Sequence, residues 1–549
     1  LALALVLTAA GNCNRQTSSG PPPSTSAAAL EAVPAPSDLV AEVVVQNPER
    51  SWSALRGALG DDAILVPRTV GGLAVSLFGL PLRAAQEFDE KLPAFAALSG
   101  AEAPRATLAL HVRDGGTFVV LLTSGADASF DLERKDGLAR LIPRPTARSG
   151  LLAGAALGVV GNYLLIGNDV EALAALGPYL VRTVAPRQLH AQSATADAPS
   201  DAVLHGDGGH LGALVKRALE HRVGSMDGSA PAEVGPLFDL SSAALDVVEP
   251  LTHAELTDVT LKLDKERFRL DALVRLPAGS WSEAPSLSVP TALAALPEDT
   301  VAAVAFTEPK GSRKDAARKR ATTLASALAE KTNGTAFDRS KLEAALVALG
   351  EGRGEQTILG ARCSGAGLTG FATGDVADRA KLKQGVRDLL GLRSEDAVAA
   401  ALDKAALGVT VETGRLELVT DDVTLIRFAP KKPEAPRTLT DLRFTVGETR
   451  FTIGAGVETV DTLQALYRPD QTQTLAALPK VRDALAGHEE RATFAMIVDP
   501  VAVAGCSAGA PAPRSLTPIT ASLAPVPHGL HVRIDTVPAA ISVIGRLLR

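Results

Sequence analysis

The chain has 549 residues, 46% hydrophobic and 21% charged, the composition of a globular protein long enough for two or more domains. Its net charge of −7 leaves no basic footprint for nucleic acid, and aromatics at 3% leave few stacking platforms for single strands. The core has to be built from Leu, Val and Ala.

The first element in chain order is an apolar run from Leu1 to Ala10, followed by small residues and Cys13. It is shorter than the roughly 20 residues a spanning helix needs and reads as the end of a signal peptide, residues 1–12. Cys13 is expected to carry lipid, and residues 13–36, polar and rich in Pro and Ser, to form a disordered tether. More than one acyl chain at such an N-terminus would anchor it stably. Asn12 fits the lipoprotein pattern poorly, so secretion without lipid after a cut near Ala10 stays open. Beyond Cys13 no apolar run reaches spanning length without charge or Pro, so lipid is the only expected membrane attachment. The expected place is the cell envelope, facing the periplasm or the exterior.

Downstream, three segments recur in the same order. VAEVVVQNPERSWSAL from Val40 parallels VAAVAFTEPKGSRKDA from Val301, each a β-rich run, then Pro48 or Pro309, then a helical pattern. VGNYLLIGNDVEALAAL from Val160 parallels VGETRFTIGAGVETVDTLQAL from Val446, with Ile166 on Ile453 and Val170-Glu171 on Val457-Glu458. Phe268-Arg269-Leu270-Asp271 parallels Val532-Arg533-Ile534-Asp535. Within the second match, Gly161-Asn162 signals a turn between strands, Asp169 an N-cap, and Leu173 with Leu176 the buried face of a helix. Glu171 and Glu458 then fall in a first helical turn, where the helix dipole favours a carboxylate.

Hairpins are expected around Asp114-Gly115-Gly116, Asp264-Lys265 and Thr413-Gly414, and helices over 321–331, 340–349 and 377–390. Hairpins with intervening helices indicate α+β. The expected organisation is an internal duplication: two similar modules of antiparallel sheet with packed helices, 37–280 and 290–549, joined by a linker at 281–289.

The unit GNYLLIGNDVEALAAL, with the strand-and-helix opening PEDTVAAVAF from Pro297, resembles an uncharacterised family of exported, Ala-rich bacterial proteins common in high-GC bacteria such as myxobacteria. The resemblance covers most of 37–549 and rests on short structural motifs. It implies an exported α+β protein and no assigned activity, so no functional residue is carried over.

The best metal candidate is His205-Gly-Asp207-Gly-Gly-His210, with His221 and His253 downstream. The matching place in the second module, ATFAMIVDP from Ala492, keeps Asp499 and has no histidine, so the shared Asp reads as a cap and no metal site is expected. There is no G-x-S-x-G elbow, no H-E-x-x-H, and no evident serine partner for any histidine. GEGRGE from Gly350 lacks the Lys of a P-loop, and Lys310–Arg320 reads as a solvated helix face that could touch anionic headgroups. Cys363 and Cys506, in small-residue loops, either pair in an oxidising compartment or stay as buried thiols. No enzyme activity and no cofactor are expected. The expected role is a non-enzymatic, lipid-anchored binding or structural protein with an envelope partner. The alternatives are a carrier or chaperone for a lipid or other apolar ligand, and an enzyme with a dispersed site.

If Cys13 carries lipid, Cys13→Ser is expected to move the protein from the detergent phase to the soluble fraction on phase partitioning. Unchanged partitioning would point to plain secretion.

Overall fold

The computed structural model describes residues 31–540, apart from 145–153, 188–199, 218–252, 278–288, 332–337, 431–440, 469–472, 508–517 and a few shorter gaps. Cys13, His221, Pro309, Val457 and residues 281–288 of the expected linker therefore lie outside the described residues. The chain divides into two compact units, with the change from first to second at Ser280 and Trp281. Both are α+β.

The first unit begins with β1 (Leu39–Val45), α1 (Pro48–Ala58), α2 (Val70–Phe78), β2 (Ala94–Ser99) and β3 (Arg105–His111). It continues with α3 (Gly115–Thr123), β4 (Phe130–Lys135), β5 (Leu138–Pro143), β6 (Ala156–Val160), β7 (Tyr163–Gly167) and α4 (Val170–Tyr179). It closes with β8 (Ala202–Asp207), β9 (Leu256–Leu263) and β10 (Phe268–Arg275). The pairings give one antiparallel sheet in the order β4-β5-β6-β7-β3-β2-β1-β8-β9-β10.

Alternation along each strand sends side chains to two faces. Phe95, Ala97, Ala109 and Leu165 pack against Leu173 and Leu176 of α4. On the other face, Leu110, Leu164 and Ile166 meet Ala74 of α2 and Phe118 and Leu122 of α3. The β6-β7-α4 run follows its sequence signals closely. Gly161 turns the hairpin with φ of 54°, and the Asp169 carboxylate accepts the Ala172 N–H at 2.7 Å as an N-cap. A Cβ on Gly167 would stand 2.7 Å from the Asp169 carbonyl oxygen, so the strand can enter the helix only through glycine. Glu171 sits in the first turn of α4 and pairs with Arg105 at 2.7 Å on the surface.

The second unit opens with the short α5 (Val289–Ala294), β11 (Thr300–Thr307), α6 (Lys310–Lys331), α7 (Arg339–Gly352), β12 (Arg353–Ser364), β13 (Gly367–Val376), α8 (Arg379–Gly391) and α9 (Asp396–Lys404). Then come β14 (Leu407–Gly414), β15 (Val423–Pro430), β16 (Asp441–Val446), β17 (Arg450–Gly456), α10 (Thr459–Tyr467) and α11 (Pro479–Leu485). It ends with β18 (Phe494–Val498), α12 (Pro500–Ser507), β19 (Ile519–Val526) and β20 (Gly529–Thr536). Its antiparallel order is β14-β15-β16-β17-β13-β12-β11-β18-β19-β20, the order of the first unit strand for strand. Ile166 faces Leu108 across β3, and Ile453 faces Ala372 across β13. Counted outward through the pairings, Val532 stands level with Leu270, two places from Phe268; the turns span the same length between level positions, Leu263 to Phe268 and Pro525 to Leu530, so the sequence match of these two strands is two residues out of register.

Two of the expected hairpins form differently. Asp114-Gly115-Gly116 opens α3 instead of turning a strand: the Asp114 carboxylate accepts the Thr117 N–H at 2.6 Å, and Gly115 packs directly on the Gly161 carbonyl, where no side chain fits. The β-branched residues that follow are helical because Phe118, Val119 and Leu122 share one buried face. Beyond Gly414 the chain leaves the sheet as a loop before β15, since Leu416 and Val419 turn inward onto Leu463 of α10.

Cys363 of β12 and Cys506 of α12 form a disulfide, with Cα atoms 5.9 Å apart and buried beside Val301 and Ala502. It closes a loop of 143 residues. Replacing both cysteines by Ala is expected to lower the unfolding free energy of the second unit by about 2–4 kcal/mol, read from its denaturant midpoint. An unchanged midpoint would show that the bond does not constrain the unfolded chain.

Candidate functional site

The central strand β1 shows how the site arises. Val44, directed to the α4 face, is 1% exposed, whereas Val43 and Val45, directed to the opposite face, are only partly buried. The helices that cover this second face are α1 and α2, and they are held chiefly at their ends. Asn47 caps α1 by accepting the Arg50 N–H at 2.9 Å, and Arg50 reaches Asp201, just ahead of β8, at 3.3 Å. Asp201 is buried and also accepts the Leu263 N–H at 2.7 Å. The Glu90 carboxylate accepts the first N–H groups of α2, from Val70 at 3.0 Å and Gly71 at 2.8 Å. The Trp52 indole N–H donates to the Pro67 carbonyl at 3.0 Å, so its polar edge is used within the helix layer.

Between these helices and the sheet lies a cavity of about 200 Å³. Trp52 and Leu55 of α1 and Leu73 and Leu77 of α2 form its roof. Val43, Val45, Leu108 and Leu261 belong to its floor, together with the small side chains of Ala94, Ala96 and Ala202. Among the described residues no charged one lines it. Asn168, at its edge, is engaged twice, its Oδ1 accepting from Ala106 and its Nδ2 donating to the Pro104 carbonyl, each at 3.0 Å. The Ser51 hydroxyl is buried with no hydrogen-bond partner among the described residues. Such a space admits an apolar group and rejects an ion, whose desolvation nothing there offsets.

The residues singled out in the sequence fall elsewhere. His205 lies on β8 with its Nδ1 2.6 Å from Asp258, half exposed. Asp207 caps the turn after β8 by accepting the His210 N–H at 2.9 Å, and Asp499 does the same after β18 for Val501 and Ala502 at 3.1 Å. His253 is exposed. Among the described residues no three His, Cys, Asp or Glu side chains are placed to hold a metal.

Two polar clusters had no sequence signal. On the α4 face Glu42 is buried and accepts from both the Tyr179 hydroxyl and the Arg187 guanidinium. Burial, then the hydrogen bond to Glu42, pushes Tyr179 up to about 12. In the second unit His488 does have a serine partner, contrary to the sequence reading. Its Nδ1 lies 2.6 Å from Ser522, and its Nε2 lies 2.8 Å from Thr520 and 3.6 Å from Asp535. All four side chains are buried, and they join the end of α11 to β19 and β20.

No family model matches the chain, and no curated protein does. Solved structures similar to part of it include crystal forms I and III of TP0453. Both have a TM-score of 0.25, at 9% and 10% identity, covering 44% and 47% of this chain and 77% and 83% of theirs.

At the end of β3, burial lowers the His111 imidazole below its ordinary 6.5, with Asp89 pulling weakly the other way. Its Nδ1 is buried without a partner among the described residues, and its ring stands edge-on to Tyr163 at 5.0 Å. A folded-state value below the unfolded one means that neutral His111 contributes stability above about pH 6.5, lost as pH falls through the folded value. Acidification from about pH 7.5 to about 5 is expected to lower the first unit's unfolding midpoint more in wild type than in His111→Gln. Equal slopes would show that His111 titrates normally.

Proposed function

We propose that this chain is an exported, non-enzymatic envelope protein, lipid-anchored through Cys13, that binds an uncharged apolar ligand in the first unit. The observation that carries the reading is the cavity of about 200 Å³ with no charged residue in its wall among the described residues. An apolar space of about 150 Å³ is enough to hold a benzene molecule, so this one has room for a short hydrocarbon segment. A role as a purely structural envelope element gives no reason to leave such a space beside a sheet that is well packed on its other face. The same proposal takes the two units as copies of one ancestral module, supported by their identical strand order.

The test uses the full chain and the fluorescent probe N-phenyl-1-naphthylamine. A single saturable site is expected, with the probe quenching or shifting Trp52 emission. Leu73→Asp, which places a charge in the roof, is expected to weaken binding by more than tenfold, since burying an unpaired charge is costly. Val120→Asp is expected to leave binding unchanged, because Val120 is exposed on α3 and outside the wall. Absence of saturable binding would return the protein to a partner-binding or structural role.

A further inference from the structure

The strand pairings allow the cavity floor to be compared with the same place in the second unit. Ile166 and Ile453 fix the common level, and each row is read outward from strand to strand. In the first unit one row runs Ala94, Val45, Ala202, Leu261 across β2, β1, β8 and β9, and all four residues line the cavity. The corresponding row in the second unit runs Thr357, Phe306, Phe494, Leu523 across β12, β11, β18 and β19. Counting back from the caps gives the same match, since Ala202 and Phe494 each stand five places before the aspartate that ends their strand. The largest difference in the row is at Ala202, a methyl group where the second unit carries a phenyl ring.

Ala202 is the residue that β8 contributes to the floor, between Val45 and Leu261. Asp201 beside it holds Arg50 of α1 and the Leu263 N–H, which fixes the backbone there. A larger side chain at 202 could not be relieved by moving the strand, and it would project over the floor between Val45 and Leu261. A phenyl ring at 202 would take up a large part of a space of about 200 Å³.

Granting that the cavity holds a ligand, as proposed above, we infer that the small side chain of Ala202 keeps the floor open and so limits the length of hydrocarbon chain that the first unit accepts. The ligand class is a molecule with an uncharged alkyl chain, admitted chain first, because the wall has nothing to pair with an ionised group. Each methylene that still finds room gains affinity by about fourfold, and each one beyond the end wall gains nothing.

The experiment is a series of n-alkanols, butanol to dodecanol, titrated into the full chain and followed by the tryptophan emission that Trp52 in the cavity roof contributes. In wild type, affinity is expected to climb about fourfold per carbon and then level off. In Ala202→Phe the climb is expected to end several carbons earlier. Ala202→Leu is expected to fall between them and keeps the test available if the phenyl variant does not fold, which circular dichroism reports. A plateau at the same chain length in wild type and in the folded variants would overturn the assignment of Ala202 while leaving the cavity as a ligand site. No binding of probe or alkanol by wild type would overturn the ligand reading itself.

Discussion

The cavity depends on how α1 and α2 are fixed to the sheet. Their polar contacts sit at the ends: Arg50 on Asp201 at one side, the Glu90 carboxylate on the first turn of α2 at another. Between those points the side chains that face one another are apolar apart from Ser51 and Asn168, and five of the floor positions are Ala or Val. Protein interiors normally close such gaps, because every unfilled contact forfeits dispersion energy. Here the pinned ends keep the helices from settling onto the small side chains. At about 24 cal/mol per Å³ of unfilled volume, a fully enclosed space of about 200 Å³ would cost on the order of 5 kcal/mol. That is a large share of the stability of an ordinary domain, and an occupant would offset it.

The two faces of the first sheet divide the chemistry between them. On the α4 face the packing is dense, and it contains the buried carboxylate of Glu42. That carboxylate is tolerated because a phenol and a guanidinium both donate to it. Its neighbours across the sheet, His205 and Asp258, continue a polar row. On the α1–α2 face no charge lines the cavity among the described residues. Because strand residues alternate, one strand supplies both environments: Glu42 and Val44 belong to the polar and dense side, Val43 and Val45 to the open side.

Much of the fold was legible in the sequence because its signals are local. The turn at Gly161, the cap at Asp169 and the spacing of Leu173 and Leu176 each act within a few residues, and the structure uses them as read. The match of Val40 with Val301 also gives the level at which Val45 corresponds to Phe306, which the pairings reproduce. Two readings failed where a local preference met a stronger constraint. The β-branched run after Gly116 is a helix because Asp114 caps it and Gly115 must lie on the Gly161 carbonyl. The segment after Gly414 leaves the sheet because the core takes its apolar side chains. The cavity had no sequence signature. Its floor is a sum of modest side chains on strands that lie far apart in the chain and meet only through pairing. The His488 cluster was hidden for the same reason, since Ser522 and Asp535 reach it from two different strands.

The second unit shows what the same strand order does with different side chains. At the places of Val45 and Ala202 it carries Phe306 and Phe494, and at Ala96 it carries Leu359. Its stability is drawn in part from a disulfide and from buried polar contacts. Arg313, almost fully buried, donates to the carbonyls of Glu308 and Arg353, and Arg353 in turn pairs with Glu308. Burial holds both guanidiniums below their ordinary value, yet each is surrounded by acceptors, so the charges persist. Such a network fixes geometry, because breaking one contact strands the rest. The first unit instead leaves apolar surface uncovered on one face. One strand order is thus compatible with either filling, and a unit can carry less side-chain volume at these floor positions without losing it.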